Sequence, residues 1–398
     1  MKFRISLIVG VTIVGCASTT GGTTTIVSRD STSTASSQAS SSTSSTTTSV
    51  ATTTSTVSLA SEPIDLGPLA PRGGHSVVWT GEEMLVWGVE ADELGSELFA
   101  DGAAYDPRSR EWRRLSEPRL SPRRYHLVIW TGEEMVVVGG VGEADGAAYR
   151  PETDTWRSIA PPPIRVRAPS GAGIEGLVSP VWTGDELIVW HVDTDLVAAY
   201  DPEEDRWRNL PATEMGAVNG VLRWDGDVVY AFGGTGDDFP ATNELMASRL
   251  IGDEWEVLPA VGFSTDDYVL GAVPKLTVWA GDRFLAWSDS GYEGRTMVFD
   301  PAADMWSVAQ DVPSPPCDGQ GEPISAEGLV FAFGWCGPNL ATLDVESQVW
   351  SEAPVGGFPT ARYAVWTGEE LINWGDTCCY GTDGEAFTID AWVFEPGN

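Results

Sequence analysis

The sequence predicts an all-β protein: a seven-bladed β-propeller with four antiparallel strands per blade, formed by residues 61–398. Three observations carry that expectation. The hexapeptide WTGEEM at Trp79–Met84 returns as WTGEEM at Trp130–Met135, WTGDEL at Trp182–Leu187 and WTGEEL at Trp366–Leu371. A second motif follows downstream, as YDPRSREW (Tyr105–Trp112), YRPETDTW (Tyr149–Trp156) and YDPEEDRW (Tyr200–Trp207). Weaker copies of both, such as WDGDVV at Trp224, WAGDRF at Trp279 and FDPAADMW at Phe299–Trp306, fill the intervals and give units of 40 to 55 residues. Self-similarity at that period means one supersecondary unit repeated.

The first 15 residues read as an address. MKFRISLIVGVTIVGC has a basic start (Lys2, Arg4), an apolar run from Ile5 to Val14, and a small residue before Cys16. The run is short for a membrane span and has the form of a signal h-region. Its ending resembles a bacterial lipobox. That resemblance implies cleavage before Cys16, lipidation of its sulfur, and anchoring at the outer face of the cytoplasmic membrane. Two or more acyl chains give durable attachment where one does not.

Residues 16–60 are dominated by Ser and Thr, with STSTASSQASSSTSSTTTS at the centre. Such a segment cannot bury a core. It reads as a disordered tether with a reach of about 35–40 Å as a random coil.

Within each unit the elements follow from local chemistry. SVVW and MLVWG flank the first motif as short β-branched and apolar strands. The Thr-Gly or Asp-Gly between them marks a tight hairpin, because Gly accepts the positive φ of such a turn. GAAYD is a third strand, and Asp-Pro opens the turn into a fourth, WRRL. The recurrent Tyr and Trp read as packing between blades. The chain stops after the third strand of its last unit, at FEP. SEPIDLGPLAPR (Ser61–Arg72) matches the end of a fourth strand in WRRLSEPRLSPRR (Trp112–Arg124). Ser61–Leu66 are therefore expected to complete the last blade and close the ring, hiding two strand edges.

The spacing of Tyr and Trp, the glycine pairs Gly139-Gly140 and Gly233-Gly234, and the Pro-Arg before the next strand resemble the kelch repeat. Trp87-Gly88 and Trp374-Gly375 stand where other units have the glycine pair. A propeller of this type can carry a copper-radical oxidase, which needs two His, two Tyr and a thioether-linked Cys. Here the only histidines are His75, His126 and His191, and the cysteines lie elsewhere in the ring. No copper, other metal or cofactor is expected.

The formal net charge is −35, and there are two lysines, Lys2 and Lys275. Such a chain has no electrostatic footprint for nucleic acid. Contact with a membrane is expected through the lipid alone, and the protein is expected to be a monomer. The acidic hairpins (Glu82 and Glu83, Glu133 and Glu134, Asp185 and Glu186, Glu369 and Glu370) read as a solvated ring on one face. They lack the D-x-D-x-D-G pattern of a calcium loop.

The opposite face holds the candidate residues. Cys317, Cys336, Cys378 and Cys379 cluster there in an exported chain, so disulfides are expected. The favoured pairing is Cys317–Cys336 with Cys378–Cys379; cross-blade pairing of Cys336 and a four-cysteine zinc site are the alternatives. The position four residues before each motif tryptophan gives His75, His126, Val178, Gly220, Lys275, Glu322 and Arg362 around the axis. With Arg72, Arg123, Arg124, Tyr125 and Tyr363 beside them, these residues form a candidate cationic and aromatic mouth for a carboxylate or sugar. The competing reading has them capping strand ends and pairing with local acids.

No G-x-S-x-G or P-loop is present, and SDSGYEG (Ser288–Gly294) is a single poor match to an Asp-box. The functional expectation is a binding module for protein or envelope carbohydrate, with no catalytic residue assigned. The alternative is a carbohydrate-active enzyme of epimerase, lyase or oxidase type at the mouth.

Overall fold

The computed structural model describes residues 60–70, 72, 74–90, 98–166, 178–215, 219–235, 244–259, 261–262, 276–287, 295–313, 323–326, 328–333, 339–347, 349–354, 364–376 and 389–395. Apart from one 3-10 turn at Val192–Thr194, the elements are all strands. β1 (Ala60–Pro63) comes first. One blade follows with β2 (Ser76–Trp79), β3 (Met84–Glu90), β4 (Leu98–Asp106) and β5 (Glu111–Arg114). The second has β6 (Leu127–Trp130), β7 (Met135–Val138), β8 (Gly146–Arg150) and β9 (Thr155–Ile159). The third has β10 (Val178–Trp182), β11 (Leu187–His191), β12 (Leu196–Asp201) and β13 (Arg206–Leu210). β14 (Asn219–Trp224), β15 (Val229–Thr235), β16 (Glu244–Ile251), β17 (Glu254–Val257) and β18 (Val261–Gly262) share one sheet. Two more blades hold β19 (Leu276–Ala280), β20 (Arg283–Trp287), β21 (Arg295–Asp300) and β22 (Met305–Pro313), then β23 (Ile324–Ala326), β24 (Leu329–Phe333), β25 (Asn339–Asp344) and β26 (Val349–Pro354). β27 (Ala364–Trp366), β28 (Leu371–Asp376) and β29 (Ile389–Glu395) end the chain.

The expectation of seven uniform four-stranded blades is corrected. The structure has six blades of four antiparallel strands, and the sheet from β14 to β18 carries five. The cause is the length of β16. Its last four residues pair with β17, and its first two, Glu244 and Leu245, reach beyond and pair with Gly262 and Val261.

The strand that opens each blade lies innermost. β2 touches β6, β6 touches β10, β10 touches β14, β19 touches β23, β23 touches β27, and β27 returns to β2. The β14–β18 sheet meets the β19–β22 blade through Phe232 and Phe284, stacked with centroids 4.1 Å apart. The closing blade has the order β1-β29-β28-β27, with Ser61 opposite Phe394 and Glu62 opposite Val393.

The core lies between blades. Met84, Leu85, Val86 and Trp87 on β3 are all fully buried, so this strand is apolar on both faces. One face (Leu85, Trp87) packs with Met135 and Val137 of the second blade; the other (Met84, Val86) packs with Ile372 and Trp374 of the closing blade. Each such side chain contributes roughly 1.5–3 kcal/mol by leaving water.

The turns are those the sequence predicts. In each WTG hairpin the threonine hydroxyl accepts backbone N–H groups: Thr80 Oγ1 takes those of Glu82 and Glu83 at 3.1 and 2.9 Å. Gly81 has φ +100°, a conformation that L side chains rarely adopt. At the outer turn Asp106 Oδ1 accepts the Arg108 N–H at 2.8 Å.

Candidate functional site

The residues at the inner strand ends are buried, and most of their polar groups are held by the scaffold. Arg72 and Arg123 precede β2 and β6 by a few residues and do the same work. Arg72 donates from Nε to the Ala70 carbonyl at 3.0 Å and from Nη1 to Asp101 Oδ1 at 2.7 Å. Its guanidinium lies 4.3 Å from the centroid of Phe99. Arg123 donates from Nε to the Ser121 carbonyl at 3.0 Å and from Nη1 to Asp145 Oδ1 at 2.6 Å. Each arginine thus ties the chain entering its blade to the start of that blade's third strand. Burial raises the cost of ionising Asp101, but hydrogen bonds and charge from Arg72 and Arg114 outweigh it and lower its pKa.

His75 and His126 link neighbouring blades. His75 donates from Nε2 to the Trp374 carbonyl at 2.8 Å, and its ring meets the Trp374 indole edge-on at 4.9 Å. His126 meets Trp87 in the same way at 4.7 Å. Its Nδ1 lies 3.2 Å from the Arg123 carbonyl, which can only accept, so Nδ1 carries the proton. Nε2 then accepts from the Ser76 hydroxyl at 2.9 Å. Burial lowers both imidazole pKa values to about 3, against the opposing effect of these carbonyl bonds. Both rings are neutral at pH 7.

The histidines explain the Trp-Gly pairs. An added Cβ at Gly375 would stand 2.0 Å from His75 Cε1, and one at Gly88 would stand 3.4 Å from His126 Cε1. A blade ends its second strand with Trp-Gly where the next blade opens with histidine. Elsewhere other groups make the link: the Leu222 N–H donates to Ser179 Oγ at 2.8 Å, and Arg223 Nη2 donates to Thr277 Oγ1 at 2.5 Å.

Of the other candidates, Arg124 and Tyr125 are half-buried beside Arg123. Tyr125 has φ +56°. Cys16, Lys275, Cys317, Cys336, Arg362, Tyr363, Cys378 and Cys379 lie outside the described residues. Among the described residues no group of three or more His, Cys, Asp or Glu is placed to hold a metal ion.

The solvated-ring reading of the hairpin acids needs correction. The first acid of each pair is exposed, but in the first three blades the second is claimed by an arginine of the outer strand. Arg113 takes Glu83 at 2.5 Å, Arg157 takes Glu134 at 2.6 Å, and Arg208 takes Glu186 at 2.7 Å. The same arginines reach into the next blade. Arg113 Nη1 donates to the Tyr149 hydroxyl at 2.9 Å, and that hydroxyl donates to Asp154 at 2.8 Å. Burial and the Asp154 bond push the Tyr149 pKa up to about 12. Arg157, Tyr200 and Asp205 repeat the arrangement. The missed signal is an Asp two residues before the motif tryptophan, at Asp154, Asp205, Asp253 and Asp304.

No protein-family model matches the sequence, and no curated protein is similar to it in sequence. The fold is similar to that of a catalytically inactive virginiamycin B lyase from Staphylococcus aureus, solved with quinupristin. The TM-score is 0.53 and the identity 8%, over 85% of this chain and 98% of that one. At such identity the likeness shows the β-propeller fold alone.

Proposed function

We propose that this chain is a lipid-anchored, extracytoplasmic propeller of kelch-like repeats that binds protein or envelope carbohydrate through the loops of its axial face. The observation that supports this most is the use of Arg72, Arg123, His75 and His126 as braces. Their polar groups hold the loop ends in place, and recognition falls to the loops themselves. With pKa values near 3, the two imidazoles make poor general bases at neutral pH. Candidate contacts are Arg124, Tyr125, Lys275, Arg362 and Tyr363. The full chain, screened against an envelope glycan array and a panel of purified extracytoplasmic proteins, should bind a defined ligand. An Arg124→Ala/Arg362→Ala variant that binds it equally well would remove the mouth from the reading. Membrane fractionation of Cys16→Ala tests the anchor, which predicts release from the membrane.

A second reading is favoured by the similar lyase propeller: a lyase acting at the same mouth. Incubating the full chain with quinupristin and with any glycan from the screen, followed by mass analysis, tests it. Turnover would replace the binding-module reading.

A further inference from the structure

Four consecutive blade junctions follow one polarity, and the closing junction reverses it. On the outer strand, the residue after the motif tryptophan is Arg113, Arg157 or Arg208, opposite Ala104, Ala148 or Ala199. Each arginine faces an aspartate at the outer turn of the following blade. Arg113 reaches Asp154 at 3.9 Å, Arg157 reaches Asp205 at 3.6 Å, and Arg208 reaches Asp253 at 2.8 Å. At the next junction Arg249 on β16 reaches Asp304 at 2.8 Å.

In the closing blade the register puts Ser61 where the tryptophan stands and Glu62 where the arginine stands. The turn of the first blade has Arg110 at the aspartate position. Its φ of +59° matches the +49° of Asp154 and the +48° of Asp205. Glu370, the second acid of its hairpin, remains on the closing blade, with its N–H on Thr367 Oγ1 at 2.9 Å. Tyr105 shows the effect of the exchange. Tyr149 and Tyr200 bond to an arginine and an aspartate, but among the described residues the buried Tyr105 hydroxyl has no hydrogen-bond partner. After burial, the charges acting most on Tyr105 are those of Arg110 and Glu370.

We propose that the ring is closed by a charge-reversed latch, in which Arg110 of the first blade is matched to Glu62 and Glu370 of the closing blade. The latch selects the neighbour. Any blade presenting Asp154, Asp205, Asp253 or Asp304 would set acid against acid at this junction. The first blade alone among these offers a cation, so β1 and β27–β29 dock there and the blades close in chain order.

The test is a charge swap read by local hydrogen exchange and thermal unfolding of the full chain. Aspartate tolerates the left-handed backbone at 110 better than arginine, so R110D relieves local strain. A loss of stability in that variant is therefore electrostatic. R110D should speed exchange in β2, β27 and β28 roughly tenfold while β10–β13 keep their protection. E62R/R110D restores the common polarity and should recover most of that protection. Unchanged exchange in R110D, or a double variant no better protected than R110D, would overturn the latch. Should R110D fail to fold, recovery of folded E62R/R110D supports the proposal and continued failure overturns it.

Discussion

The hydroxyl of Ser76 donates to Nε2 of His126 across a blade boundary, at 2.9 Å, while Nδ1 of the same ring is held by the Arg123 carbonyl. A protonated His126 cannot accept that bond, so folding is linked to pH. An unfolded imidazole titrates near 6.5, and both His75 and His126 are lowered to about 3 in the ring. Between those values the unfolded chain binds protons that the folded chain refuses. The stability contributed by the neutral rings is complete above the unfolded pKa and is lost as pH falls towards the folded one. With two such groups the slope approaches about 2.7 kcal/mol per pH unit below the unfolded pKa. Urea unfolding from pH 7.5 down to 5 should show this loss, and His75→Gln/His126→Gln should flatten it while lowering stability at pH 7.5. The window ends at pH 5 because Asp101, Glu134, Asp154 and Asp344, whose pKa values are lowered, add their own losses as they protonate further down.

Gly375→Ala should destabilise the closing junction. The residue has φ +117°, and an added Cβ would lie 2.0 Å from Cε1 and 2.6 Å from Nε2 of His75. The ring cannot retreat without giving up the Trp374 carbonyl and the indole edge. A cost of about 2–4 kcal/mol is expected, from overpacking and the loss of a buried hydrogen bond together. Gly81→Ala, with φ +100° and nothing within 4 Å of its Cβ, carries backbone strain alone and should cost about 1 kcal/mol. Chemical denaturation of the two variants decides; equal losses would mean that the His75 contact is unimportant.

Glu133 and Glu134 are adjacent and should behave differently. Glu134 is 8% exposed and accepts from both Arg157 and Arg150; Glu133 is 72% exposed. Glu134→Ala should cost about 2 kcal/mol, less than the roughly 3–5 kcal/mol of a fully buried pair, because both arginines are more than a third exposed and can turn to water. Glu133→Ala should fall within about 0.5 kcal/mol of wild type. Urea midpoints read both.

What was legible in the sequence is what neighbours in the chain determine. Thr80 and its equivalents bond N–H groups two and three residues on, and Tyr105 faces Trp112 across one turn with rings 5.0 Å apart. The spacing alone therefore gave the hairpins, the outer turns and the strand order of a blade. Contacts beyond neighbouring strands were not legible. Arg157 meets Glu134 of its own blade from 23 positions away and Tyr200 of the next blade from 43, and only the folded ring brings them together. For the same reason Arg72 and His75 read as a cationic mouth. Their partners, Asp101 and the Trp374 carbonyl, lie 29 and 299 residues away. The fifth strand of the β14–β18 sheet escaped because β18 is two residues long and has no pattern of its own.

Closure by β1 gives the last prediction. Counting from Ser61 as from Trp112, Asp65 falls where Ser116 stands, and the structure honours that register. Trp156 Nε1 donates to the Ser116 carbonyl, and Trp112 Nε1 donates to the Asp65 carbonyl, both at 2.8 Å. Trp374 Nε1 donates to the Leu66 carbonyl at 2.8 Å, so this short stretch satisfies one indole from each side of the junction. Ile64 is buried in the same cluster as Val365, Ile372 and Trp374. Ile64→Ala should therefore cost about 2–3 kcal/mol, as for a core truncation. Deleting residues 60–66 should cost more, since it strips the same cluster, leaves both indoles without acceptors and bares the edge of β29. A bared edge invites pairing between chains, so the deletion should also give larger species than the wild type in light scattering. A deletion variant that melts with the wild type and matches it in size would show that the ring holds without its N-terminal strand.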